Sequence, residues 1–409
     1  MIFARVLLIL FTLLEIKNPV LSMDSKALSS AITKFSAKFC NELDKKKNVV
    51  SSPLSAEYLL ALITLGTTDP AHEELLTSLG IPDDDTIRSS FSAVSSKLKS
   101  IKGVTFNVAN KIYIKEGDYE LDPKLKKDAV EVFDADFEKV NFDNGAAAAG
   151  LINKWVENKT NERIKDLLSE DSLDSFTRLV LVNALYFKGT WQNQFDSIST
   201  MERPFYVDTE TTVNIPMMYQ ENNFKYGESH DLNAQLLEMA YEGNDASMVI
   251  VLPNEINGLD GILQKLADGY DLTAELDKMF STKVRVTVPK FKIETEIDLL
   301  QVLPKLGIQA IFNRQNSGLT KILDNDEPLY VSKAVQKAFI EVNEEGAEAA
   351  AATAAVVRHT RSLRKSRVFR ADRATLWIVR VQGCAVLAAL HRGPPRRNDA
   401  VPRPLRDDL

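Results

Sequence analysis

The chain has 409 residues, 44% of them hydrophobic, and a formal net charge of -7, which allows one large domain or two to three ordinary ones around a substantial core. The charge is divided unevenly: residues 358–409 hold 13 Lys+Arg against 4 Asp+Glu and the rest holds 37 against 53, so the body is acidic and nucleic acid is excluded as the main partner. Cys40 and Cys384 are the only cysteines, which excludes a disulfide framework.

Residues 1–22 read as a signal peptide. Arg5 precedes an apolar stretch from Val6 to Leu14, Val20 and Ser22 occupy the small-residue positions, and cleavage after Ser22 leaves Met23 at the mature end. The stretch is too short to span a bilayer and Glu15 interrupts it. A secreted, extracellular protein without membrane attachment is therefore expected. The sequon Asn158-Lys159-Thr160 marks Asn158 as a glycosylation site.

Next comes an amphipathic helix, with Leu28, Ile32, Phe35 and Phe39 at three- and four-residue spacing and Cys40 packing as a small apolar side chain. A second helix follows "SSPLS", where Ser52 can cap and Pro53 takes the first position. Further helices are expected around 70–80, 86–100, 122–133, 146–165 and 258–267. Strands are expected at "VTFNVANKIYI", "LVLVNALYF", "LLEMAYE", "SMVIVLP" and "KVRVTVPKFKIE", each apolar or alternating and bounded by turn residues. Helices dominate the first part and strands the remainder without βα alternation, so the class is α+β. Nothing in the composition forces a domain boundary.

Enzyme motifs are missing: there is no Gly-x-Ser-x-Gly elbow, zinc helix, phosphate loop or dinucleotide fingerprint. The histidines are scattered, and His72 reads as a solvated helix residue. Met217 and Met218 read as core filling. Pairs such as Asp83 and Asp85 read as solvated, and the thinly basic run of Arg88, Lys97, Lys99 and Lys102 reads as a helix face. The protein is not expected to be an enzyme, and no cofactor or metal is expected.

"NEEGAEAAAATAAVVRHTRS", Asn343 to Ser362, fits neither an amphipathic helix nor a buried strand. This segment, with "NVVSSPLSA" at 48–56, "LVNALYFKGTW" at 181–191, "VPKFKIE" at 288–294, "LPKLGI" at 303–308 and "VSKAVQKAFIEV" at 331–342, resembles the serpins in order and spacing from about residue 25 to 373. The likeness is to the insect-type secreted inhibitory serpins. It implies a monomer with three β-sheets, about nine helices, a serpin domain over 23–373 and an exposed reactive loop at about 344–368.

In that family the loop is bait for a serine protease, and once cut it inserts as a new strand into the central sheet. The resemblance implies a hinge of Glu344, Gly346, Ala347, Glu348, Ala349, Ala351 and Thr353. Ala347, Ala349, Ala351, Thr353 and Ala355 would face inward and are all small, as a strand sliding past a packed core requires, while Glu348 would face solvent. About a dozen inserted residues add roughly 10 ladder hydrogen bonds at about 0.5–1.5 kcal/mol net each, so the uncut state is a kinetic trap. The partner would be a trypsin-like serine protease held as a covalent acyl-enzyme. Family spacing from Gly346 places the acyl-side residue at Thr360, but Arg361 suits a carboxylate-floored pocket better. Arg361–Ser362 is the preferred scissile bond, Thr360–Arg361 the alternative and Arg358–His359 a third. Ser52, Ser55, Asn183 and Gln336 would form the polar cluster beneath the opening sheet, with Trp191 where the loop enters. Many relatives have histidine in place of Gln336, and glutamine can likewise donate and accept. A non-inhibitory carrier, storage or chaperone role is the alternative function.

The likeness fails after "VFRADR". Residues 374–409 form an atypical basic tail without the usual Pro-Phe pair, and the final 18 residues hold 5 arginines and 4 prolines, which disfavour strands. The expectation is that this tail comes from an altered reading frame or an unusual terminal exon, which sequencing the transcript over this region would decide. "LWIVRV" and "CAVLAAL" are the candidates to replace the two buried strands that close the family's core; without them the fold would carry a cavity and unpaired backbone.

Overall fold

A five-stranded sheet carries the region of interest. Its strand order is β10 (Phe291–Asp298), β11 (Val331–Val342), β4 (Leu179–Gly189), β2 (Val104–Lys115) and β3 (Ala135–Val140). The computed structural model describes residues 23, 25–325, 327–346, 366–381 and 384–394. The signal peptide, the hinge residues Ala347, Glu348, Ala349, Ala351, Thr353 and Ala355, and all three candidate scissile bonds (Arg358–His359, Thr360–Arg361, Arg361–Ser362) lie outside the described residues.

β11 and β4 run parallel, from Val331↔Leu179 to Ile340↔Phe187, while β10–β11 and β2–β4 are antiparallel. The two faces of the sheet are covered differently. On one, α6 (Gly145–Lys159) lays Ala148, Ile152 and Val156 over Val180, Val182 and Val335. On the other lies α2 (Pro53–Thr64), buried at every position and capped by Ser52, whose Oγ accepts from the Ser55 amide at 3.2 Å. A helix buried all round belongs at the centre of a large domain. Around it pack α1 (Ser25–Asn41), α3 (Ala71–Leu79), α4 (Asp84–Lys99) and α5 (Pro123–Glu131).

The remaining strands join in one ladder: β1 (Val49–Ser51), β14 (Cys384–His391), β13 (Thr375–Val381), β8 (Ala246–Pro253), β7 (Ala234–Ala240), β6 (Thr212–Ser229), β9 (Phe280–Pro289) and β12 (Arg367–Arg370), with β5 (Met201–Tyr206) also on β6. The 18-residue β6 makes the expected second and third sheets continuous, since its first part pairs with β5 and its second with β7. α7 (Leu259–Ala267), α8 (Leu272–Asp277) and α9 (Leu299–Val302) bring the α-helices among the described residues to nine.

Two local expectations need correction, and a third is met. The helix expected over 146–165 ends at Lys159, because Asn161 and Glu162 take left-handed backbone at φ 53° and 59°. "KVRVTVPKFKIE" is two strands broken at Lys290, one pairing with β6 and the next with β11. "LWIVRV" and "CAVLAAL" do fill the last core positions: β13 lies between β8 and β14, and β14 between β13 and β1. Trp377, Val379, Val386 and Ala389 are fully buried there, so apolar residues of sufficient volume occupy these positions although the family's own sequence does not.

Candidate functional site

The parallel seam between β11 and β4 is bridged by a row of amides. Gln336, Asn183 and Asn110 stand opposite one another on three adjacent strands and all point at α2. Gln336 Nε2 donates to Asn183 Oδ1 at 2.7 Å and to the Ser52 carbonyl at 2.8 Å, and its Oε1 accepts from the Ser52 amide at 2.9 Å. Asn183 Nδ2 donates to Asn110 Oδ1 at 2.5 Å and to Ser55 Oγ. Ser52 Oγ donates to the carbonyl of Val386 at 2.6 Å, tying the row to the divergent tail. All five side chains are buried. Each bond is worth about 1 kcal/mol net, but leaving one of these groups unpaired would cost about 1–3 kcal/mol. The row therefore holds the seam shut and resists any rearrangement that separates the two strands without giving the amides new partners.

At the upper end of the seam the chain leaves β11 through a tight turn. Asn343 Oδ1 accepts from the amides of Glu345 at 3.1 Å and Gly346 at 3.0 Å. The Trp191 amide donates to the Glu345 carbonyl at 2.9 Å, and the Phe195 amide to the Glu344 carbonyl at 2.8 Å. Trp191 Nε1 donates to the Asn343 carbonyl at 2.9 Å, and its ring stacks on buried Tyr241 at 4.5 Å. Gly346 has φ +108°, and a Cβ there would lie 2.3 Å from the Gly189 carbonyl oxygen and 2.5 Å from the Trp191 nitrogen. Only glycine fits both the backbone angle and the space.

Glu344 anchors this turn from its other side. Its carboxylate accepts from Thr200 Oγ1 at 2.8 Å and pairs with Lys290 Nζ at 2.8 Å. Burial alone would push its pKa up, but Lys290 and Thr200 outweigh that and hold it below the ordinary carboxylate range. Lys290 is the residue at the break between β9 and β10, so one side chain ties the turn to both sheets.

The structure thus brings Ser52, Ser55, Asn183 and Gln336 together at the seam, and Trp191, Glu344 and Gly346 at the turn above it. Asn158 belongs to neither hydrogen-bonded group; it is exposed in the last turn of α6 and lines a cleft whose other wall includes Ser55 and Asn110. Sequence reasoning did not find Asn110, Lys290, Thr200, Tyr241 or Asn343. Asn110 left one trace, a lone amide inside the apolar run "VANKIYI". His72 bonds Asp84 Oδ1 at 2.8 Å, Asp83 caps α4, and Met217 and Met218 are buried. None of these contributes to a reaction centre.

A parallel seam thus lies beneath an anchored turn at which the chain leaves β11. In comparison with known proteins, residues 30–386 match the family model Serpin, serine protease inhibitor. The chain belongs to the serpin family, whose members are in general inhibitors of proteases and not enzymes. It is 41% identical to Antitrypsin of Bombyx mori, over 93% of this chain and 97% of that protein. It is 43% identical to Antichymotrypsin-2 of Bombyx mori, over 88% and 96%. Among solved structures it resembles Serpin48 of the insect Tenebrio molitor, with a TM-score of 0.82 and 34% identity over 91% of this chain and 99% of that one.

Proposed function

We propose that this chain is a secreted suicide inhibitor of trypsin-like serine proteases. The protease attacks the loop between Gly346 and Ser366 at Arg361–Ser362, with Thr360–Arg361 the alternative, and forms its acyl-enzyme. The cut loop then enters the seam between β11 and β4, small residues Ala347, Ala349, Ala351 and Thr353 inward, and the protease is dragged along before water completes hydrolysis.

One observation carries this reading: the chain following β11 turns at Gly346 directly over the end of β4. A strand re-entering from that turn runs antiparallel to both neighbours. It replaces one parallel ladder with two antiparallel ones, and parallel pairing is the weaker of the two. The names of the two Bombyx relatives, Antitrypsin and Antichymotrypsin-2, support a protease partner, and Arg361 supports the trypsin-like class.

The signal-peptide pattern read at residues 1–22 supports secretion. No helix among the described residues is long and apolar enough to cross a membrane. A glycan on Asn158 would have to be added before folding, because the Thr160 hydroxyl donates to the Val156 carbonyl at 2.8 Å and is fully buried.

Incubation with trypsin followed by denaturing electrophoresis tests the proposal. A covalent band and a released peptide beginning at Ser362 are expected. Clean cleavage without a covalent band would favour a non-inhibitory, substrate-like serpin.

A further inference from the structure

The cations of this chain are concentrated beside its loop. From Arg358 to Arg373 the sequence carries seven Lys+Arg and one acid, Asp372, whereas residues 1–357 hold 37 Lys+Arg and 53 Asp+Glu. The described part of this run is β12 and the turn that follows it. β12 is the last strand of its ladder, bonded to β9 on one side and open along the other among the described residues.

Phe369 is fully buried and anchors the strand, leaving Arg367, Val368 and Arg370 exposed, with Val368 47% accessible. Arg367 lies 3.5 Å from Glu228 and over the Tyr226 ring at 6.0 Å, so its position is held without its charge being hidden. Arg373 Nη1 donates to the Asn254 carbonyl at 2.6 Å. Arg370 has no ion pair among the described residues, and with Val368, Arg373, Gln235 and Leu252 it lines a shallow depression. Across the ladder, exposed Arg285 stands opposite Val368.

Charge on an open edge strand ordinarily guards against unwanted strand pairing, and charge of either sign would serve. Here the charge is predominantly positive, opposite to that of the body, even with Glu228 beside Arg367 and Asp372 paired with Arg373 at 2.9 Å, and the strand is the direct continuation of the segment a protease must grip. We infer that β12 and the turn to Arg373 form a docking surface for the target protease, and that this protease carries an acidic face beside its cleft. The inference rests on the inhibitory reading above and specifies the partner of that same loop. Such rim charges act mainly on the rate of encounter.

The test compares anionic and cationic trypsin, which share a preference for arginine and differ in surface charge. Second-order inhibition rates are measured for the full chain and for the Arg367→Glu/Arg370→Glu variant, at about 0.1 M and about 1 M salt, where the screening length falls from roughly 10 Å to roughly 3 Å. Anionic trypsin should be inhibited about tenfold faster at low salt, the advantage vanishing at high salt and in the variant. Covalent complexes forming at equal, salt-independent rates with both enzymes would overturn the docking surface while leaving the inhibitory reading intact. Absence of a covalent complex with either enzyme would overturn both. Because the salt dependence of the unmodified chain is itself diagnostic, a variant that fails to fold does not remove the test.

Discussion

Gln336 and Asn183 stand opposite each other on two parallel strands and are joined by a 2.7 Å hydrogen bond between their side chains, fully buried. Neither amide is exposed to solvent. The bond crosses the one parallel seam beside the turn at Gly346, so the same contact that stabilises the sheet opposes its widening.

Asn183→Leu should therefore destabilise the protein by about 3 kcal/mol or more, because it strips Gln336, Asn110 and Ser55 of a shared partner. Ser52→Ala, which removes a cap and one bond to Val386, should cost about 1–2 kcal/mol. Urea unfolding midpoints check the order, and equal losses would show that the row does not act as a network.

Gly346→Ala should disturb the turn without touching the seam. Its Cβ meets the backbone of Gly189 and Trp191, so the chain must shift and the Trp191–Glu345 bond must lengthen. The fluorescence of Trp191 on Tyr241 should change while the midpoint falls by about 1–2 kcal/mol. An unchanged spectrum and midpoint would refute the close approach.

His391 supplies a pH dependence. It is buried between Phe291, stacked at 4.6 Å, and Phe205, edge-on at 5.2 Å, and burial lowers its pKa to about 3. The unfolded chain binds a proton near pH 6.5 and the folded chain does not, so stability present above about 6.5 is lost as pH falls toward about 3, at roughly 1.4 kcal/mol per unit. In His391→Phe the melting temperature should fall less steeply below about pH 6.5 than in the unmodified chain. Parallel slopes would show that the imidazole is hydrated.

Glu57 has the opposite sign. It lies on α2, 2% exposed, with neither carboxylate oxygen hydrogen-bonded among the described residues, and burial raises its pKa well above the ordinary value. A carboxyl raised in the folded state stabilises below its unfolded pKa and loses that contribution as pH rises through its folded value. Glu57→Met should gain about 1–3 kcal/mol at neutral pH and little or nothing near pH 4, read from denaturant midpoints. A loss at neutral pH would mean that the carboxylate has a partner.

Elements with their own period were legible in the sequence. The apolar spacing of α1, the cap at Ser52 and the runs "LVLVNALYF" and "SMVIVLP" are local signals, and each lies where expected. β1 and β3 were not legible, because a three-residue strand and a mixed one owe their form to partners far away in the chain. The end of α6 depended on two left-handed residues with no glycine to announce them. At the seam, Ser52, Ser55, Asn183 and Gln336 came from resemblance and not from pattern. Asn110 was missed since one amide in a strand has no direction until its neighbours are known. Lys290 read as one more charge in a strand, when it is where the strand breaks and where Glu344 finds its cation.

β14 is placed between β1 and β13, so Val49–Ser51 find their partners at Ala388–Leu390, nearly the whole length of the polypeptide away. At roughly 5–20 residues per second, a ribosome needs about 17–70 s to make the second half of that pair after starting the first. β1 waits for β14 through the whole of that interval, and β8, once made, waits for β13. The ladder that closes this core therefore cannot be completed until synthesis is almost finished, so the last strands to be made decide whether the first ones are ever covered.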